Sequence, residues 1–211
     1  MDARVECLEI AGHADAWRSI GLVVSDDGLI PLHGTSLRIV DVGGEPNGGP
    51  GITGWVVSGV DESLDGTAID DGLATSVVAP AGPVFGEHDL GASGLDHVVV
   101  MTADLERTSA AIAEATGHPL KRIREVGSMR QGFHRMGRGG LIVELVERPD
   151  VPAGPASFWG IVINVEDLDA ACARIGEDLI SAPKDAVQPG RRIATVRHEV
   201  GLGLPVALMT P

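Results

Sequence analysis

The sequence predicts an α+β protein made of repeated βαβββ modules, in which curved mixed β-sheets carry their helices on the outer face. An internal repeat is the first observation that predicts this fold. Segment 38–46 aligns without gaps with segment 141–149, so that Asp41 lies opposite Glu144. A period of about 100 residues is too long for a solenoid, and it indicates that a whole domain was duplicated.

Two further matches support the duplication. The strand-like starts of the two halves put Cys7 opposite His97, and the segments that follow the first match put Trp55 opposite Gly160. We therefore expect a degenerate N-terminal half over residues 1–92 and a C-terminal domain of two modules over residues 93–211.

The order of elements in the C-terminal half is the second observation. The Val-rich run 95–101 is typical of a strand that is buried on both faces. Residues 103–116 then have the apolar spacing of a helix, with Asp104 or Thr102 as its N-cap and Gly117 as its stop. Strands are predicted after it over 120–126, 130–136 and 141–147.

The same order recurs along the chain, which is the third observation. The fourth module predicts a strand over 158–165, a helix over 167–175, strands over 178–181, 191–197 and 204–209, and a loop over 182–190. The N-terminal half predicts strands over 5–11, 22–25, 29–32, 36–42 and 54–60, with a short helix over 15–20. From 61 to 91 the pattern fades into Gly, Pro and Asp, so the second module is predicted to be truncated and 79–93 to be a linker.

Composition excludes several classes of function. The net charge of −14 opposes binding to a phosphate backbone, and aromatic residues at 3% are too scarce for stacking on single strands. No apolar run reaches the ~20 residues that a membrane span needs. The start Met-Asp-Ala-Arg does not resemble a signal peptide, and Cys7 and Cys172 are too few for a disulfide framework. We expect a cytoplasmic protein that binds neither nucleic acid nor membrane.

Three motifs resemble the vicinal oxygen chelate superfamily, which includes glyoxalase I, methylmalonyl-CoA epimerase, extradiol dioxygenases and bleomycin-resistance proteins. Leu-Asp-His-Val-Val-Val at 95–100 is similar to the family's opening strand, and Val-Glu-Leu-Val-Glu-Arg-Pro at 143–149 is similar to its closing strand. Asn-Val-Glu-Asp-Leu-Asp at 164–169 repeats the junction between strand and helix. The resemblance implies a glyoxalase-like fold with a cleft inside the curved sheet.

The resemblance also implies one divalent metal, held by a residue from the first and the last strand of each module. His97 and Glu144 match two of these positions, whereas Gly160 and Ala207 fall on the other two and offer no ligand. In the N-terminal half the matching residues are Cys7, Asp41 and Trp55. An imidazole and a carboxylate suit Zn, Fe, Mn or Ni, and His134, His198 or Glu199 could complete the site. The alternative is a hydrogen-bonded His97–Glu144 pair that lines an apolar cavity.

Two functions follow from the resemblance. One is a metal-dependent lyase or isomerase that acts on a carbonyl or thioester substrate, with His97 and Glu144 as catalytic residues. The other is a non-catalytic protein of the bleomycin-resistance type that binds or sequesters a small molecule. Modules can pair within one chain or across a homodimer.

We expect a small-molecule ligand in the C-terminal half. If the basic side chains there bind it, the ligand is anionic. Only three basic residues precede position 95, whereas thirteen follow, many of them within 121–138. Alternation along 130–136 places Arg130, Gly132 and His134 on one face, which we expect to line the cleft because Gly132 leaves room for a ligand. Met101 and Trp159, with Phe133 and Phe158, are the candidates for its apolar wall. Ordinary core packing for the aromatic residues, and a solvated sheet edge for the basic ones, are the alternatives.

Overall fold

Two mixed β-sheets form the architecture of the computed structural model, which describes residues 2–40, 51–82 and 84–211. The first sheet contains β1 (Arg4–Ala11), β2 (Leu29–Ile30), β3 (Ser36–Val40), β4 (Ile52–Ser58), β5 (Thr67–Ile69) and β6 (Leu73–Val77), with helix α1 (Ala14–Ser19) after β1. The second sheet contains β7 (Ala92–Thr102), β8 (Arg122–Val126), β9 (Met129–Arg135), β10 (Ile142–Glu147), β11 (Ser157–Val165), β12 (Lys184–Asp185), β13 (Arg192–Thr195) and β14 (Val206–Met209), with helices α2 (Leu105–Thr116) and α3 (Leu168–Ile175). Short 3₁₀ turns lie at Glu62–Leu64 and His198–Val200.

The two sheets have the same strand order, which confirms the predicted repeat of modules. The second sheet runs β8-β9-β10-β7-β11-β14-β13-β12, and the first runs β2-β3-β1-β4-β6-β5. The six strands of the first sheet therefore match the central six of the second. In each sheet the first strands of two modules pair antiparallel at the centre, and each of them also pairs in parallel with the last strand of its own module.

Two expectations about individual strands are wrong. Residues 22–25 form no strand, because the chain turns there to join α1 to the Leu29–Ile30 strand. The predicted strand at 178–181 is reduced to a single bridge from Ile180 to Val196, and the edge strand β12 lies instead inside the predicted loop. The second module is shortened, as expected, because it has three strands and, in place of the helix, a 3₁₀ turn, although β6 still closes it beside β4. The strands β5 and β6 were missed because they are short and because Ile69 and Leu73 are their only buried apolar side chains.

The two faces of the second sheet differ in chemistry. Along β7, Val98, Val100 and Thr102 are buried beneath the helices, whereas His97, Val99 and Met101 project from the opposite face. We call these the helix face and the cleft face. Helix α2 lies on the helix face because its apolar stripe packs against β9 and β10. Its ends follow the prediction: the Asp104 carboxylate accepts a hydrogen bond from the backbone N–H of Arg107, and Gly117 adopts a left-handed conformation.

The strand registers correct the alignment of the two halves. Val99 pairs with Glu144 in the second sheet, and Glu9 pairs with Arg38 in the first. Because Cys7 does correspond to His97, the counterpart of Glu144 is Arg38. Asp41, which the ungapped alignment placed there, lies outside the described residues.

The same argument corrects the third metal-ligand position. Leu8 pairs with Trp55 in the first sheet, and Val98 pairs with Ile161 in the second, so that Gly54 is the counterpart of Gly160. Both glycines touch the neighbouring parallel strand: a Cβ on Gly54 would lie 2.9 Å from the Ala74 carbonyl oxygen, and one on Gly160 would lie 2.6 Å from the Pro205 carbonyl oxygen. Trp55 points into the core instead.

The two sheets share one continuous hydrophobic core. Trp55 of β4 is fully buried and meets the edge of the Phe158 ring of β11, with the ring centroids 5.4 Å apart. A backbone bridge between His33 and Gly94 also links the halves. Among the described residues, no helix is long and apolar enough to cross a membrane.

Candidate functional site

The His97 ring and the Glu144 carboxylate meet on the cleft face, as the sequence predicts. The His97 Nε2 atom lies 3.3 Å from Glu144 Oε2, and both side chains are about nine-tenths buried. Their strands, β7 and β10, pair in parallel with His97 opposite Ile142, so that Glu144 lies one pleat farther along on the same side. At this distance the contact needs a proton on one of the two atoms.

A bulge in β7 brings a second carboxylate to the same ring. Opposite β11, His97 pairs with Val162 but Leu95 pairs with Ile163, so Asp96 is the extra residue. The bulge turns the Asp96 side chain beside His97, and its Oδ1 lies 2.8 Å from His97 Nδ1. The imidazole is therefore held between two carboxylates.

Arg191 anchors this arrangement from the neighbouring module. Its Nη1 lies 2.8 Å from Asp96 Oδ2, and its Nη2 donates to the Asn164 side-chain oxygen at 2.7 Å. Burial raises the pKa of Asp96, but hydrogen bonds from His97 and Arg191 outweigh that effect and hold the pKa below its usual value. Asp96 is thus an ionised acceptor that fixes the orientation of the His97 ring through Nδ1–H.

Glu144 has the opposite electrostatic character. Burial raises its pKa, and neither the nearby His97 nor a hydrogen bond from the Gln131 amide fully offsets this effect. Gln131 Nε2 donates to Glu144 Oε1 at 2.5 Å. The site therefore holds two carboxylates of different acidity on either side of one imidazole, an arrangement that can hold or move a proton.

The raised pKa of Glu144 makes a prediction about stability. Because its folded-state pKa lies above the unfolded value, ionisation of this group opposes folding, and the cost grows as the pH rises through the folded-state pKa. We expect the melting temperature of Glu144→Gln, relative to the unmodified protein, to rise as the pH increases from the acidic range, where Glu144 is protonated in both states, towards neutrality. Glu177→Gln, at an exposed carboxylate, is the control. A difference that stays constant with pH, or falls, would contradict the assignment.

Two cavities adjoin the His97–Glu144 pair on opposite sides. The first, of about 320 Å³, is mainly apolar, and we call it the apolar compartment; its lining includes Val99, Met101, Val146, Trp159, Val162 and Ala207. The second, of about 240 Å³, we call the basic compartment, and its lining includes Lys121, Arg122, Phe133, Arg135, Ile142 and Gln188. Both cavities are bordered by His97 and Glu144, so the pair stands where the two compartments meet.

Trp159 and Met101 lie where the sequence predicts an apolar wall. Trp159 is 50% exposed at the rim of the apolar compartment, which is unusual for a side chain of this size. Phe133 lies in the basic compartment, where the Arg122 guanidinium stacks on its ring. Phe158 does not reach the cleft, because it packs against Trp55 in the core.

Arg130 lines neither compartment, and the His134 side chain is buried on the helix face although this residue borders the basic compartment, so the face predicted for β9 is wrong. His134 is fully buried under α2, where Nδ1–H donates to the His118 carbonyl oxygen and Nε2 accepts from the Ser109 hydroxyl. Arg130 pairs with Glu106 and Glu147 beside the start of α2. The room beside Gly132, which suggested a ligand site, is filled by leucine side chains of the helix face.

The arrangement does not fit the four-ligand metal centre that the resemblance implies. The third and fourth ligand positions are Gly160, which the Pro205 carbonyl oxygen crowds, and Ala207. The proposed substitutes also fail, because His134 faces away and the exposed His198 pairs with its neighbour Glu199. No group of three or more His, Cys, Asp or Glu in the described ranges is placed to hold a metal ion. The atoms of His97 and Glu144 that could bind a metal instead contact each other, Asp96 and Gln131.

The corresponding face of the first sheet offers still less. Arg38 occupies the position of Glu144 and pairs with Asp27 at 2.8 Å. Burial raises the pKa of the Cys7 thiol to about 12, so the thiol is protonated at neutral pH. The cluster of Asp96, His97 and Glu144 therefore has no counterpart of the same composition at Cys7 and Arg38.

Comparison with known proteins confirms the resemblance. Residues 94–191 match the family model described as Glyoxalase/Bleomycin resistance protein/Dioxygenase superfamily. The C-terminal half of the chain is therefore similar to the proteins of that superfamily. No match to a curated protein was found.

Solved structures extend the similarity of fold to the whole chain. A triple mutant of 4-hydroxymandelate synthase from Streptomyces coelicolor is 14% identical, with a TM-score of 0.63 over 99% of this chain and 92% of that one. Methylmalonyl-CoA epimerase from Mycobacterium tuberculosis is 18% identical over 57% of this chain and 89% of that one, with a TM-score of 0.48. At these identities the likeness concerns the fold alone.

Sequence reasoning missed three members of the site: Asp96, Gln131 and Arg191 as the partner of Asp96. Strict alternation put Asp96 on the face opposite His97, and only the bulge reverses this. An acidic residue directly before His97 in an apolar strand was the available signal, because a buried carboxylate needs a partner.

Proposed function

We propose that the C-terminal cleft binds a small, anionic organic molecule and does so without a resident four-ligand metal. The observation that carries this proposal is the pair of positions Gly160 and Ala207, which supply no ligand atoms while the cavity beside them remains open. An apolar cavity with a few convergent polar groups is the usual form of a small-molecule site. Basic side chains beside it support a negatively charged ligand.

Metal analysis of the purified protein, followed by ligand-dependent thermal shifts, tests this proposal. We expect far less than one metal ion per chain, and stabilisation by ligands that is unchanged by a chelator. A tightly bound, stoichiometric metal would overturn the metal-free assignment.

Trp159→Ala provides a prediction for binding. Removal of this half-exposed ring takes away one wall of the apolar compartment, so the ligand-induced rise in melting temperature should fall. Phe85→Ala is the matched control, because Phe85 is 66% exposed but lies outside the cleft. An equal loss in both variants would argue against binding in this compartment.

A lyase or isomerase acting on a carbonyl or thioester compound is the second candidate function. The observation that favours it is the His97 ring held between ionised Asp96 and Glu144, whose pKa is raised by burial. Glu144 would take a proton from the carbon beside the substrate carbonyl, and Asp96 would position His97. Exchange of that proton for solvent deuterium, lost in Glu144→Gln while binding persists, would distinguish this enzyme from a binding protein.

A cytoplasmic location accompanies the proposal. Cys7 and Cys172, the two cysteines of the chain, are both free, as is usual in a reducing compartment. Folded protein recovered from a cytoplasmic fraction with both thiols titratable after unfolding would support it.

A further inference from the structure

We infer that the ligand is an elongated amphiphile, with a carboxylate or phosphate head in the basic compartment and an apolar body in the apolar compartment. Along its length, the body carries a hydrogen-bond donor that meets Gln131. This inference rests on the proposed function, and it adds the orientation and chemical class of the ligand.

The first evidence is a set of cations that lack acidic partners. Across the part of the chain that the structure describes, Arg107, Arg130, Arg191 and Arg192 each pair with a carboxylate within 4.0 Å. The cations at the β8–β9 edge form no such ion pair within those residues; they are Lys121, Arg122, Arg124 and Arg135.

What distinguishes these four cations is that they cluster at one edge of the sheet, in a protein where acids outnumber bases thirty to sixteen. The Arg124 charge lowers the pKa of Glu144, but less than His97 or the Gln131 hydrogen bond does. Glu144 is buried and already accepts from Gln131. An external anion is therefore the partner that these guanidinium groups fit, and their planar forks suit carboxylate and phosphate equally.

The second evidence is the order of side chains across the cleft face. Directly paired residues form rows that run from β8 towards β7. One row is Arg122, Phe133, Glu144 and Val99, and the next is Arg124, Gln131, Val146 and Met101. Each row begins with a cation and ends with an apolar side chain. Three strand spacings separate the two ends, about 14 Å, so one ligand that uses both must be elongated.

The third evidence is an unpaired acceptor in the middle of the cleft. Gln131 Nε2 donates to Glu144, whereas Gln131 Oε1 is buried and has no hydrogen-bond partner among the described residues. Gln131 lines the apolar compartment. A buried acceptor without a donor costs about 1–3 kcal/mol, and a hydroxyl or amide N–H on the ligand would remove that cost.

Matched probes test the polarity of the cleft. Dissociation constants would be measured by titration calorimetry at fixed ionic strength for the straight-chain carboxylates from acetate to decanoate, the alcohols of the same lengths, and octyl phosphate. We expect octanoate to bind about tenfold or more tightly than octanol, as a charge-assisted hydrogen bond provides, and acetate to bind far more weakly than octanoate. Octyl phosphate against octanoate shows which head is preferred.

Two pairs of substitutions locate the head. In Arg122→Gln/Arg135→Gln the preference for octanoate over octanol should fall to near one, while octanol binding stays unchanged. Arg138→Gln/Arg197→Gln is the control, because these arginines also form no ion pair in the described residues but lie outside both compartments. The control should retain the full preference. Unfolding curves of all variants confirm that each is folded.

Octanoates with one hydroxyl group at successive positions along the chain test the donor. At least one should bind more tightly than octanoate, and Gln131→Met should abolish that gain. No gain at any position would overturn the donor assignment. Equal binding of carboxylates and alcohols, or a preference that survives in the Arg122/Arg135 variant, would overturn the head assignment while small-molecule binding stands. If no probe binds while the thermal-shift screen finds another ligand of the cleft, this inference is wrong and the proposed function stands.

Discussion

Replacement of Trp55 with alanine is expected to lower the free energy of unfolding by about 3–5 kcal/mol, the usual cost of removing a large buried aromatic side chain. Trp55 has no exposed surface and fills the core at the junction of the two sheets. Its ring meets Phe158 edge-on, and its Nε1–H donates to the Thr75 hydroxyl at 2.8 Å. Alanine would leave a cavity and would remove the hydrogen-bond donor to the Thr75 hydroxyl oxygen, although that hydroxyl would still donate to the Leu73 carbonyl oxygen.

Denaturant unfolding, followed by both tryptophan fluorescence and far-ultraviolet circular dichroism, measures this loss. Trp159→Ala is the control, because that ring is half-exposed and should cost under about 1 kcal/mol. Since one core connects the sheets, Trp55→Ala should shift one shared unfolding transition and should not split it into two. Independent melting of one half, with the other unchanged, would show that the Trp55–Phe158 contact does not couple them.

The fold of the C-terminal half was predictable because its elements are long and their patterns are unmixed. Strand β7 and helix α2 each contain an apolar run or stripe with a clear start and stop, and Asp104 and Gly117 mark the helix ends. The N-terminal half was harder, because β2, β5 and β6 have two to five residues each. Strands that short owe their form to pairing with β3 and β4 rather than to their own sequence.

The sequence predicted the site only where alternation along the strands determines which side chains share a face. The meeting of His97 and Glu144 follows from alternation in two regular strands, and it is confirmed. Alternation in β9 correctly separated His134 from Gln131, but it could not say which set faces the helix. Gly132 favoured the wrong choice, since an absent side chain serves close helix packing as well as ligand access.

The same steric constraint accounts for the missing third metal ligand in both sheets. Gly54 and Gly160 occupy equivalent positions where the first strand of one module lies against a carbonyl of its parallel neighbour. A side chain at either position would push the two strands apart. The fourth position differs, because Ala207 lines an open cavity and is free of this constraint.

Ala207→His should therefore create metal binding in a cleft that lacks it. The new imidazole would project into the compartment that His97 and Glu144 border, giving the His₂Glu ligand set that zinc sites use. We expect calorimetric titration with Zn²⁺ or Ni²⁺ to change from no detectable binding to one ion per chain. Metal should also raise the melting temperature of this variant alone.

Two companion variants make that result specific. Ala207→His combined with Glu144→Gln should lose the gained affinity, since only two nitrogen ligands remain. Gly160→His should instead destabilise the protein without a gain in affinity, because its Cβ would lie 2.6 Å from the Pro205 carbonyl oxygen. Metal binding by Ala207→His that does not depend on Glu144 would place the ion elsewhere. Tight binding by Gly160→His would show that β11 and β14 can separate, and the account of the missing third ligand would then be wrong.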